Sequence, residues 1–130
     1  MYQFRLHNLS IKSKYNLAEY FDVPSCNEIE ASVVVEEKKI EFNKLEKKII
    51  SSRLQACYAT KNYAEIHRVG IGKFLIFNGE KIICQKDSKS PQSNFLTFLF
   101  SYVFAYLLYQ RGQVVLHASA IDIDGKSFFF

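Results

Sequence analysis

A chain of 130 residues that is 48% hydrophobic can bury a sizeable core, which excludes a disordered protein. Its net charge of +4 is carried without any lysine–arginine block, so a nucleic-acid-binding role is not expected; the densest charged stretch, Glu36 to Lys48, alternates acids with bases and reads as a solvated face. Three cysteines, Cys26, Cys57 and Cys84, are far apart and form no C-x-x-C pair, which excludes a zinc ribbon and fits reduced thiols in a cytoplasmic protein.

The opening MYQFRLHNLSIKSK lacks the basic start and apolar centre of a signal peptide. Tyr2, Phe4 and Leu6 alternate with polar residues, as a strand with one apolar face does. Leu9 and Ile11 continue in the opposite phase, and a bulge or kink near His7-Asn8 would reconcile the two halves. Leu17 to Phe21 is short and apolar, Pro24 to Asn27 is a turn cluster, and Ala31 to Val35 is a β-branched strand candidate. Between Glu36 and Leu54 two patterns compete: a helical stripe through Phe42, Leu45, Ile49 and Ile50, and a strand over Lys39 to Phe42.

Cys57 to Thr60 and Tyr63 to Val69 read as short strands. The clearest hairpin follows, with Asn78-Gly79 set between Lys73 to Phe77 and Glu80 to Gln85. After a polar connector, Ser90 and Pro91 have the form of a helix N-cap and first helical residue. Phe95 to Tyr109 is almost wholly apolar apart from a tyrosine stripe at 102, 106 and 109, and Gly112 is its expected stop. Spanning a bilayer takes about 20 apolar residues, so a helix buried in a core or interface is expected ahead of membrane association. The chain ends in Val114 to Ile123, Asp124-Gly125, and Lys126 to Phe130, the form of a second tight hairpin.

This ending resembles the P-loop kinases related to HPr kinase/phosphorylase, most of all the small kinases of peptide-modification gene clusters. The residues that carry the resemblance are Gln110-Arg111-Gly112, Leu116-His117-Ala118-Ser119-Ala120, Asp124-Gly125 and Phe128-Phe129-Phe130. The hairpin before the helix and the segment Leu17-x-Glu19 match more loosely. The resemblance implies that the phosphate-binding loop starts just after Phe130, so that the sequence is a kinase cut short. It also implies that His117 is an active-site residue near the transferred phosphoryl group, donating a hydrogen bond or moving a proton. On the residues alone, His117 is more often a satisfied core histidine than a catalyst, and Ser119, two residues on, is a support for it and not a nucleophile.

Two glycine motifs are weighed and set aside. Gly125-Lys126-Ser127 imitates the end of G-x-x-x-x-G-K-[ST], but Ala120 stands where the first glycine belongs and Asp122 and Asp124 would repel a phosphate. Gly70-Ile71-Gly72 precedes a strand, whereas a phosphate cradle lies between a strand and a helix. Arg111 is either a phosphate-facing cation or the charge at a helix C-terminus. Asp122 and Asp124 read as exposed residues beside a turn, and His7 and His67 have no assigned role.

The expectation is therefore an α+β protein: a β-rich N-terminal module with hairpins (residues 1–88), a connector and buried connecting helix (89–112), and the first β-hairpin of a P-loop kinase core (113–130). Full-length relatives would use ATP and magnesium to phosphorylate a serine of a protein or peptide. This fragment, lacking the phosphate loop, is expected to hold no cofactor and to be inactive, with a protein or peptide as partner, no membrane span, and self-association into a homo-oligomer left open. The alternative is a non-catalytic module that binds a peptide or protein by strand addition.

Overall fold

The computed structural model describes residues 1–26, 30–45, 54–113, 120–123 and 126–129, the last two stretches for their backbone. Its opening is a hairpin: β1 (Tyr2–Leu6) and β2 (Leu9–Ser13) pair antiparallel, with Leu6 opposite Leu9. His7 and Asn8 both have positive φ, 52° and 63°, as a two-residue I′ turn requires. The expected single strand with a kink is thus two strands. The slip in apolar phase is the reversal of the chain, made at a His-Asn pair that tolerates the left-handed region better than most residues do.

Asn16 Oδ1 accepts from the Ala18 N–H at 3.2 Å and starts a 3-10 turn, Leu17–Glu19. Four more strands follow: β3 (Val33–Glu37), β4 (Gln55–Ala59), β5 (Tyr63–Arg68) and β6 (Gly72–Phe77). β7 (Lys81–Lys86) returns from β6 through Asn78-Gly79, whose φ values of 52° and 64° again make an I′ turn, as the sequence implied.

These form one seven-stranded sheet in the order β1-β2-β3-β7-β6-β5-β4. β3 lies parallel to both β2 and β7, and every other pairing is antiparallel. Val33 and Val35 of β3 are fully buried in the core, while Val34 between them points to the opposite face and is half-buried. β8 (Ala120–Ile123) and β9 (Lys126–Phe129) pair antiparallel as a separate two-stranded sheet. Ile123 stands opposite Lys126, on either side of the expected Asp124-Gly125 turn, whose own residues lie outside those described.

A helix of 19 residues covers one face of the sheet. It runs as α1 (Gln92–Phe98), a wider π stretch (Leu99–Val103) and α2 (Phe104–Gln110). In the π stretch the Phe104 N–H reaches back five residues to the Leu99 carbonyl. The hydroxyls of Thr97 and Ser101 donate to the carbonyls four residues back, at Ser93 and Thr97, a pattern that bends helices. Ser90 does not cap this helix as expected. Its hydroxyl donates to the Pro91 carbonyl instead of accepting from the first turn.

The core lies between helix and sheet. Phe95, Leu99, Val103, Phe104 and Leu107 are fully buried against Phe74, Ile76, Ile66, Val33 and Ile82. Each such side chain contributes about 1.5–3 kcal/mol of transfer free energy. The Phe95 ring stacks on Phe74 (5.6 Å between centroids) and takes Tyr15 edge-on (5.4 Å). Gly72 sits beneath it because a β-carbon there would meet the Gln85 carbonyl at 2.5 Å and the Phe95 ring at 3.1 Å. The helix is not buried all round, however: Tyr102 and Tyr109 remain 40% and 65% exposed.

The other face of the sheet is crossed by residues 38–45, which form neither the strand expected over Lys39 to Phe42 nor a helix; Ile49 and Ile50 of the helical stripe lie outside the described residues. Lys38 N–H donates to the Cys84 carbonyl, Ile40 N–H to Gln85 Oε1 at 2.8 Å, and Phe42 rests beside the His67 ring and beneath Lys73. The mixed-charge run is therefore partly a strap laid on the sheet, with its own Ile40 buried, and not only a solvated face.

Candidate functional site

β4 is the last strand of the sheet, and its register fixes which backbone groups point outward. Thr60 N–H donates to the Tyr63 carbonyl and Val69 N–H to the Leu54 carbonyl, so positions 54, 56, 58 and 60 turn their backbone groups towards β5. Gln55, Cys57 and Ala59 then turn theirs away from the sheet, where no described strand pairs with them. The side chains of these three residues point to the helix side. Gln55 Nε2 donates to the Tyr102 hydroxyl at 2.6 Å, and Cys57 Sγ lies 3.2 Å from the Tyr106 hydroxyl.

The tyrosine stripe read from the sequence thus forms the wall of a groove beside an open strand edge. Phe98 stacks on Tyr102 at 5.0 Å, and Tyr102 leads on to Tyr106 at 5.7 Å. Burial, with the hydrogen bond to Cys57 second, pushes the Tyr106 hydroxyl well above its ordinary range, so it stays protonated. A cavity of about 740 Å3 lies between this face and the end of β4, lined by Ala59, Thr60, Lys61, Ala105, Tyr106, Tyr109 and Gln113.

At the C-terminal end of the helix, Gln110 and Arg111 grip the turn between β6 and β7. Gln110 Oε1 accepts from the Gly79 N–H at 2.8 Å while its Nε2 donates to the Ile76 carbonyl at 3.1 Å. Arg111 Nη1 donates to the Gly79 carbonyl at 2.7 Å. Gly112 has φ +80° and closes a Schellman motif, with Gly112 N–H to the Tyr109 carbonyl and Gln113 N–H to that of Leu108, both at 2.9 Å. Of the two roles weighed for Arg111, its contacts are those of a structural cation at the helix end.

A third cluster, unforeseen in the sequence, lies under the strap. Glu65 is fully buried on β5 and accepts from the N–H groups of Asn43, Lys44 and Leu45 and from the Tyr63 hydroxyl. Burial works against its charge, but the Tyr63 hydroxyl and the three N–H donors outweigh it and hold the carboxyl below the usual range. The signal was an acid flanked by Ala64 and Ile66 in a strand otherwise fit for a core. Beside it His67 has a buried Nδ1 with no partner among the described residues. Burial first, then the Lys73 charge, lowers its pKa against the pull of Asp87.

No family model, no curated protein and no solved structure matches this chain.

His117 and Ser119 lie outside the described residues, as do Asp124 and Gly125. Asp122 and Lys126 are strand residues of β8 and β9. Gly70 has φ +81° in the turn before β6, consistent with a strand-entry turn. His7 is a turn residue whose ring lies 6.0 Å from that of Phe104. Cys26, Cys57 and Cys84 are free thiols. Among the described residues no three His, Cys, Asp or Glu side chains come together as a metal site, and no helix is long and apolar enough to cross a membrane.

Proposed function

We propose that this chain is the N-terminal part of an HPr kinase-like P-loop kinase whose full-length form transfers the γ-phosphoryl of ATP to a serine of a protein or peptide. The 130 residues would be inactive alone, since phosphoryl transfer depends on positioning and charge stabilisation by a phosphate loop whose G-x-x-x-x-G-K-[ST] motif they do not contain. His117 would act beside the transferred phosphoryl group, as the resemblance implies.

The observation that carries the reading is the grip of Gln110 and Arg111 on Gly79. It gives the Q-R-G and N-G motifs a common physical purpose: to fix where the chain leaves the helix and starts the next strand. The order hairpin, helix, hairpin, with β8 and β9 last, agrees with the order in the kinases it resembles. The test is calorimetry with ATP. The 130-residue chain should show no binding, and micromolar affinity would put the reading of Gly125-Lys126-Ser127 as a turn in error. The chain extended by the sequence encoded beyond Phe130 should bind ATP, and His117→Ala in it should lower phosphoryl transfer with the fold intact. An extended chain without ATP binding would remove the kinase reading.

A second reading, a non-catalytic peptide- or protein-binding module, is favoured by one observation, the open edge of β4 beside the tyrosine groove.

A further inference from the structure

The two edges of the seven-stranded sheet are treated differently. At β1 the edge is covered by the chain's own residues 24–26. Arg5 N–H donates to the Pro24 carbonyl at 3.0 Å, Cys26 N–H to the Gln3 carbonyl at 3.4 Å, and Phe4 forms a bridge with Ser25. Proteins usually cover, shorten or charge an edge that would otherwise recruit strands. At β4 nothing among the described residues does so: Gln55, Cys57 and Ala59 present three N–H and three C=O groups outward, and the strand carries no charged residue.

We propose that β4 receives an extended peptide segment of the substrate as an eighth strand, with alternate side chains of that segment entering the tyrosine groove. That the peptide belongs to the phosphorylated substrate rests on the kinase reading; the docking mode rests on the edge alone. The backbone ladder selects an extended chain of any sequence, and the groove then selects among them. Tyr106, Tyr109 and Ala105 offer rings and a methyl group to aliphatic or aromatic side chains. Among the described lining residues Lys61 alone is charged, so an acidic residue at the end of the segment that reaches it is favoured over a basic one. The groove and ladder share one axis because Gln55, Cys57 and Ala59 serve both: their backbones face outward and their side chains face the tyrosines.

The probe is a synthetic nine-residue peptide with aspartate at one end and valine and threonine alternating thereafter. It is titrated into the isotope-labelled 130-residue chain without nucleotide and followed by amide NMR. The amides of Gln55, Cys57 and Ala59 should shift and gain protection from exchange. The same peptide with proline at its centre should bind at least tenfold more weakly. Ala59→Pro removes an outward N–H and no bond to β5, and should weaken the probe by at least tenfold. Tyr109→Ala should weaken it several-fold, and Tyr20→Ala, far from β4, should not. Should Ala59→Pro fail to fold, the proline peptide against the unaltered chain still decides.

Equal binding of the two peptides, or shifts confined to other strands, overturns the proposal. So does sedimentation showing that the chain pairs with a second copy through β4 and excludes the probe. Because no nucleotide is present, a failed ATP test in the extended chain sinks the kinase reading and leaves this result standing; the reverse also holds.

Discussion

Arg111 lies across Gly79, with its Nη1 on the Gly79 carbonyl at 2.7 Å and its Cγ only 2.5 Å from where a β-carbon on residue 79 would stand. The glycine is needed twice, for its φ of +64° and for the space the arginine fills. Replacement by alanine should cost roughly 1–2 kcal/mol from the left-handed backbone alone, with the crowding added. In a double-mutant cycle by urea denaturation, Gly79→Ala should cost less in an Arg111→Ala background, since only the backbone part remains. An equal cost in both backgrounds would mean that the arginine yields freely.

Leu107 is fully buried where α2 meets the sheet. Leu107→Ala should lower stability by about 2–5 kcal/mol. Tyr109→Ala, two residues on at an exposed position, should change it by less than about 0.5 kcal/mol. Urea midpoints with unchanged slope would establish both; a near-zero cost at 107 would mean that the helix does not pack as described.

Glu65 makes stability depend on acid. Its folded pKa lies below the ordinary 4.5. The stability it lends is therefore complete above that unfolded value and is lost as pH falls through the lower folded one. Glu65→Gln keeps the shape but turns an amide towards N–H donors, and should cost at least about 2 kcal/mol at neutral pH. The variant should also lose less stability than the parent on acidification below pH 4.5. Thermal melts across that range are the check, and parallel curves would show that the carboxylate is not the titrating group.

The three thiols should react in order of access. Cys57 is exposed, Cys26 is half-buried, and burial pushes the Cys84 thiol up to about 12. Iodoacetamide on the native protein should modify Cys57 first and Cys26 more slowly, leaving Cys84 until the chain unfolds. Mass spectrometry of tryptic peptides reads the order, and early labelling of Cys84 would contradict its full burial on β7.

Much of the α+β layout follows from local signals. Asn-Gly between FLIF and KIIC specifies a hairpin without help from distant residues, and Phe95 to Tyr109 followed by Gly112 specifies a helix and its end. The parallel pairing of β3 with β2 and β7 depends on contacts between residues as far apart as Glu37 and Cys84, over a third of the chain, which no local pattern encodes. His7-Asn8 was misread because neither residue is glycine, the usual mark of positive φ. The open edge of β4 was hidden for a different reason. The sequence shows a tyrosine stripe and a short strand, but not that the strand stands last and that the stripe faces it.

The π stretch gives the helix an unusual tolerance. A wide turn of this kind accommodates one residue more than an α-helical path between the same two ends. Excising Ser101, exposed and in the middle of it, should therefore let the coil relax to ordinary pitch while Gln110 and Arg111 keep their seats on the hairpin. Excising Ala105, four residues later in α2, leaves no such slack: everything beyond it swings by about 100°, the angle between successive residues at 3.6 per turn. Leu107 and Leu108 would rotate out of the core and the latch on Gly79 would open. In this helix the damage done by losing a single residue depends less on which residue is lost than on whether the coil had one to spare.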